Sequence, residues 1–103
     1  MPTAIAGVPA VASETHTNAN ETIEWTLDSR ANRVRVLFEG NAGKVGFTAT
    51  EGQAFAGAAY VGVAADTIIA LMVDGSVARI NDLKVYTSAD VGGTVVRLLI
   101  DRG

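Results

Sequence analysis

The chain contains a series of short runs in which apolar and polar residues alternate, with turn residues between the runs. In "TIEWTL", Ile23, Trp25 and Leu27 point to one side and polar residues point to the other. This period of two is typical of a half-buried strand. The further predicted strands are "RVRVLFE" (33–39), "KVGFTAT" (44–50), residues 58–64, "TIIALMV" (67–73), "VARINDLKVYTS" (77–88) and "TVVRLLI" (94–100).

The spacing of these runs predicts the fold class. Turn residues recur about every 8–12 residues, which is typical of a sandwich or small barrel. A helix within "AGAAYVGVAA" (56–65) is disfavoured, because Gly57 and Gly62 would each cost it about 1 kcal/mol. We therefore predict an all-β protein, a small antiparallel sandwich or barrel of about six to eight strands.

The first 20 residues differ from the rest of the chain. They contain small residues and both prolines, followed by the polar stretch "SETHTNAN". We predict an extended N-terminal arm over residues 1–20 and a sandwich or barrel domain over residues 21–103. The arm is either a frayed terminus or a strap on a neighbouring subunit. The second interpretation depends on Ile5, Val8 and Val11, which give the arm more apolar side chains than a solvated tail needs.

Two predicted strands, 67–73 and 94–100, are apolar on both faces. In "TVVRLLI", Val95 and Leu99 point away from the face formed by Val96, Leu98 and Ile100. The outer side of such strands is covered by the arm in a closed barrel, by copies of the same chain, or by a different surface, because an uncovered patch would aggregate.

We favour contacts in an oligomer or assembly. Tyr86 is placed on an outward face beside Lys84, where partial exposure is expected. The predicted interface residues are Ile5, Val8, Val11, Ile68, Tyr86, Val95, Arg97 and Leu99.

Composition and charge narrow the possible partners. Of the 103 residues 18% are charged, below the usual value of about 25%, and the formal net charge is −3. A weakly acidic chain is a poor partner for nucleic acid, which binds through clustered Lys and Arg. No run of 18 apolar residues occurs, so no membrane partner is expected either.

Candidate catalytic and metal-binding residues are few. The absence of cysteine excludes disulfides and thiolate metal sites. His16, the only histidine, is expected to be an exposed residue of the arm. The regularly spaced Asp66, Asp74, Asp82 and Asp90 are explained by turns, where Asp bonds to its own backbone. We therefore predict no catalytic residues, no metal, no cofactor and no enzymatic activity.

Residues 64–103 resemble the small all-β virion proteins of tailed bacteriophages. The similarity rests on "ADT" at Ala65–Thr67, the turn at Asp74–Gly75, "VYT" at Val85–Thr87 and the terminal run from Val95 to Ile100. No comparable feature occurs in residues 1–50. The family indicated is the head decoration, or cement, proteins.

This resemblance implies a homo-oligomer, most often a trimer, that binds the major capsid protein on the capsid exterior and clamps neighbouring subunits with terminal arms. The mild negative charge suits the outside of a DNA-filled shell. Two alternatives stay open: a phage tail or fibre component, and a small carbohydrate-binding β-module that uses exposed aromatic side chains. Trp25 shares its face with Ile23 and Leu27, so we expect it in the core.

Overall fold

The structure, a computed structural model, describes residues 3–4, 10–27, 33–72 and 83–101. In these ranges all regular structure is β, which confirms the predicted fold class, and no helix able to span a membrane occurs in them. The strands are β1 (Thr3–Ala4), β2 (Ala10–His16), β3 (Ile23–Leu27), β4 (Arg33–Glu39), β5 (Gly43–Gly46), β6 (Val61–Val63), β7 (Ile68–Met72), β8 (Leu83–Ala89) and β9 (Thr94–Asp101).

The strands form two sheets. One has five strands in the order β1-β3-β8-β5-β6 and the other has four in the order β2-β9-β4-β7. All neighbours are antiparallel except the short parallel pair β1 and β3. Successive strands alternate between the sheets at every step but β5 to β6. With β1 set aside, this strand order is that of a jelly roll, a sandwich built from two Greek keys.

The core lies between the two sheets and is formed by the inward side chains that the alternation predicts. Trp25 and Phe38 are the largest fully buried residues. The Trp25 indole Nε1 donates to Thr87 Oγ1 at 2.8 Å, so its polar atom is satisfied inside the core. The buried cluster comprises Trp25, Leu27, Val34, Val36, Phe38, Val45, Val63, Val85, Ala89, Val96, Leu98 and Ile100.

The predicted arm differs from the observed structure at residues 10–16. These residues form β2, which pairs with β9 at seven positions from Ala10 opposite Ile100 to His16 opposite Thr94. The polar residues Ser13 and Thr15 face solvent, and the small residues Ala10 and Ala12 face inward. Because these inward residues are small, the sequence of this edge strand lacks a clear apolar alternation. The domain therefore begins before residue 21.

The third predicted strand is shorter than expected. β5 ends at Gly46. The alternation in the predicted strand 44–50 places Phe47 inward with Val45, but Phe47 is 47% exposed. The chain then turns back over the outer face of the five-stranded sheet, where the Ala59 carbonyl and the Phe55 ring pack against Gly46. Two backbone hydrogen bonds, from Thr22 N to the Gln53 carbonyl (3.0 Å) and from Gly52 N to the Thr22 carbonyl (2.9 Å), fasten this loop to the start of β3.

The close packing at Gly46 predicts the effect of a side chain there. A Cβ on Gly46 would lie 2.5 Å from the Ala59 carbonyl oxygen, so we expect Gly46→Ala to lower the free energy of unfolding by about 1–3 kcal/mol through overpacking. Gly62 on the neighbouring strand has no atom within 4 Å of such a Cβ. Gly62→Ala is the matched control, with a change of about 0.5 kcal/mol or less in urea unfolding. Equal stabilities for the two variants would contradict the packing.

Candidate interface on the four-stranded sheet

The outward side chains of the four-stranded sheet form rows that follow from the strand register. Because β2, β9, β4 and β7 lie side by side, each row takes one residue from each strand. The first row is Val11, Leu99, Arg35 and Ala70, the second is Ser13, Arg97, Leu37 and Ile68, and the third, without a β7 residue, is Thr15, Val95 and Glu39. We call these three rows the outer face.

Five of the predicted interface residues meet on this outer face: Val11, Ile68, Val95, Arg97 and Leu99. They lie far apart in the sequence, and the register of three strand pairs brings them together. Ile5 and Val8 lie outside the described residues. That the outer face binds a partner stays a prediction, but its residues occupy one continuous surface.

The middle of the outer face is apolar. Val11 is 69% exposed and Ile68 is 62% exposed, while Leu37 and Leu99 between them are half-buried. Together with Arg35 and Arg97, these side chains line a shallow groove of about 210 Å³. Side chains this large and this exposed are unfavourable in water, so burying them against another surface releases free energy.

The arginines of the outer face turn toward opposite ends of the sheet. Arg35 Nη2 donates to Asp101 Oδ2 at 3.0 Å, and Arg33 donates to the same carboxylate through Nε (3.0 Å) and Nη2 (2.9 Å). These hydrogen bonds raise the pKa of Arg33 above its usual value. Arg97 pairs with Glu39 at the other end of β4.

This charge arrangement has a consequence for binding. Arg33, Arg35 and Arg97 are each already paired with a carboxylate of the same chain. A partner that covers the outer face therefore need not leave one of these charges unpaired. The planar guanidinium groups also tolerate contact with an apolar surface better than ammonium groups do. Asp101, which holds two of the arginines, was not predicted as a functional residue because it stands alone at the end of the last strand.

Tyr86 does not belong to the outer face and is not exposed as predicted. It lies on the five-stranded sheet, is 7% exposed, and pairs in register with Gly46, over which the 47–60 loop folds. Its hydroxyl donates to Glu24 Oε1 at 2.9 Å, and Lys84 Nζ donates to Glu24 Oε2 at 3.2 Å. Sequence parity placed Tyr86 outward correctly, but parity does not report a loop that covers the face.

These contacts shift the pKa values of Glu24 and Tyr86 in opposite directions. The hydrogen bonds from Tyr86 and then from Lys84 lower the pKa of Glu24. Burial, together with the hydrogen bond to Glu24, raises the pKa of Tyr86. Tyr86 therefore stays protonated over a wide pH range and has a structural role in this sheet.

His16 is also placed differently from the prediction. It is 2% exposed, its Nε2 lies 3.0 Å from Thr87 Oγ1, and its ring stacks on Phe38 with centroids 6.2 Å apart. Burial lowers the pKa of its imidazole. The burial of His16 could have been predicted from the period of two that places it on the same face as Ala10 and Ala12. The polar residues around it obscured this pattern.

The remaining candidate chemistry is sparse. Trp25 is buried, as expected, so it offers no platform for a sugar. Tyr60 is 38% exposed, and Lys44 Nζ lies 5.2 Å from the centre of its ring. Among the described residues there is no group of three or more His, Cys, Asp or Glu side chains placed to hold a metal ion.

Comparisons with protein-family models, curated proteins and solved structures find no match to this chain.

The environment of Tyr86 predicts its titration. In a Tyr60→Phe variant Tyr86 is the only tyrosine, because the chain has two. We expect its ultraviolet absorbance change to occur above the ordinary tyrosine pKa of about 10, since burial and the Glu24 hydrogen bond both favour the protonated phenol. A Glu24→Gln substitution in the same background removes the negative acceptor and lowers the midpoint. Ionisation at or below the ordinary value would contradict the buried position.

Proposed function

We propose that this chain is a structural virion protein that assembles as a homotrimer through the outer face and decorates the exterior of a phage capsid, where it stabilises the shell by binding the major capsid protein. The observation that supports it most is the apolar middle of the outer face, with its arginines paired toward the two ends. It acts by binding and not by catalysis.

The size of the outer face limits its affinity. Four strands about 4.8 Å apart and about seven residues long cover roughly 400 Å², about half of what one partner contributes to a standard protein interface. Contacts through this face alone are therefore weak. Simultaneous attachment to other copies and to a shell compensates, because tethered binding raises the effective concentration of each further contact.

Three further observations support the location on a virion. The C-terminal 40 residues resemble phage decoration proteins, and the net charge of −3 suits the outside of a DNA-filled shell. The jelly-roll order of the strands is one that viral capsid proteins use, although lectins and cupins use it too. Since a fold by itself does not define a function, the proposal depends on the outer face more than on the fold.

Two alternatives remain. A tail or fibre component would use the same outer face for assembly and would differ only in its place on the virion. A carbohydrate-binding module is favoured by the exposed rings of Phe47 (47%) and Tyr60 (38%) near the loop that covers the five-stranded sheet. Retention of the protein on immobilised glycans, lost in Tyr60→Ala, would support the carbohydrate-binding alternative.

Assembly through the outer face is tested by solution mass. We expect light scattering over a hundredfold concentration range to give the mass of three copies at the highest concentrations, and the double variant Ile68→Ser, Leu99→Ser to give a single copy at every concentration with an unchanged circular dichroism spectrum. The physical reason is the loss of apolar area at two positions that line the groove of the outer face.

The matched control is Val91→Ser. Val91 is 50% exposed but lies in the turn between β8 and β9 and belongs to none of the three rows of the outer face, so this variant should remain trimeric. A double variant that assembles normally, or a wild-type chain that is monomeric at every concentration, would contradict the homotrimer.

Attachment to a shell is tested separately by co-sedimentation with capsids assembled from the major capsid protein of the same virion. We expect the wild-type chain to sediment with the shells and to raise the temperature at which they dissociate. Absence of binding to intact, expanded shells would contradict capsid decoration even if the chain is a trimer.

A further inference from the structure

The edge strand β2 is attached to the core by a single large side chain. The inward positions of β2 are Ala10, Ala12, Glu14 and His16, of which only His16 is fully buried. The alanines bury little apolar area, and Val11, the largest aliphatic side chain on the strand, faces outward and is 69% exposed. Apart from its backbone hydrogen bonds to β9, the strand is therefore attached to the core mainly through His16, its one fully buried side chain.

The contacts of His16 suit a neutral ring. Thr87 Oγ1 accepts the Trp25 indole N–H at 2.8 Å and lies 3.0 Å from His16 Nε2. When the imidazole is neutral, the Thr87 hydroxyl can donate its only hydrogen to Nε2 while it accepts from Trp25. A hydrogen bond to the backbone of Glu21 engages the ring as well. Protonation turns Nε2 into a donor and removes the acceptor that the Thr87 hydroxyl uses.

The surroundings of the ring oppose a positive charge on balance. The residues that contact His16 or pair with it on β4, β8 and β9 are uncharged: Phe38, Thr87 and Thr94. Trp25 on β3, which donates to the same Thr87 hydroxyl, is uncharged as well. Glu14 on β2, Glu21 in the turn before β3 and Glu51 on the 47–60 loop line the same pocket as the ring. Glu14 and Glu51 favour the charged ring, but burial outweighs them. The net effect is a pKa below the ordinary histidine value of about 6.5.

We propose that His16 is a latch that keeps β2 in the sandwich at neutral pH, and that protonation of its ring releases the strand. A released strand exposes its ring to water, where the ring binds a proton more readily than in the sandwich. The closed state is therefore fully favoured above about pH 6.5 and loses its advantage as the pH falls below that value. Release leaves seven positions of β9 without their β2 partners, so the edge of β9 that β2 covers becomes exposed. This inference concerns the single chain and does not rest on the proposed function.

Hydrogen exchange at controlled pH tests the latch. Protection factors are measured for the amides of β2, β4 and β8 from pH 7 to pH 5, after correction for the intrinsic pH dependence of exchange. If the ring stays neutral when closed and has an ordinary pKa when released, the protection of β2 falls by up to about 25-fold over this interval, because opening takes up one proton. The protection of β4 and β8 should change much less.

Variants make the result specific to His16. In His16→Gln, which keeps a hydrogen-bonding side chain without a titration in this range, the fall in β2 protection should disappear, while Val11→Ser on the opposite side of the strand should keep it. If His16→Gln does not fold, the wild-type profile still decides. A β2 that loses protection only together with β4 and β8, or one whose protection does not change with pH, would overturn the proposal.

Discussion

The structure depends on β9, the second strand of the four-stranded sheet. It pairs with β2 on one side and with β4 on the other, each over seven positions. Its inward residues Val96, Leu98 and Ile100 fill the core, and its outward residues Val95 and Leu99 form part of the outer face. The same strand ends at Asp101, which orients two arginines. β9 contributes side chains to the core and to the outer face, and it pairs along both of its edges. This explains why the C-terminal run has so few polar residues.

The sequence predicts those parts of the fold in which alternation is strong. In β3, β4 and β9 the buried and exposed positions follow the residue pattern, because large aliphatic or aromatic residues occupy every inward position except Thr94. The pattern fails where the inward residues are small, as at Ala10 and Ala12, or where glycine permits a close approach, as at Gly46. Long-range contacts decide these places, and a single sequence does not report them.

The candidate interface can likewise be predicted only in part from the sequence. Strand parity is enough to indicate that Val95 and Leu99 leave the core, but only the register places them beside Val11 and Ile68. Parity is insufficient for Tyr86, because a loop buries the outward side of its sheet. The ion pairs of Arg35 and Arg97 also depend on register, and both arginines line the groove beside its apolar side chains. This combination of exposed apolar side chains with ion-paired arginines is suited to a protein surface as partner.

The most direct test of assembly through the outer face is a distance measurement between copies by double electron–electron resonance. The chain has no cysteine, so Thr15→Cys, at a corner of the outer face, and Lys84→Cys, on the opposite sheet, each give one spin-label site per copy. The sheets of a sandwich lie about 10 Å apart. Assembly through the outer face predicts that the labels at position 15 lie closer to one another than those at position 84 by at least about that spacing. Labels at position 84 that are as close as those at position 15, or closer, would contradict it.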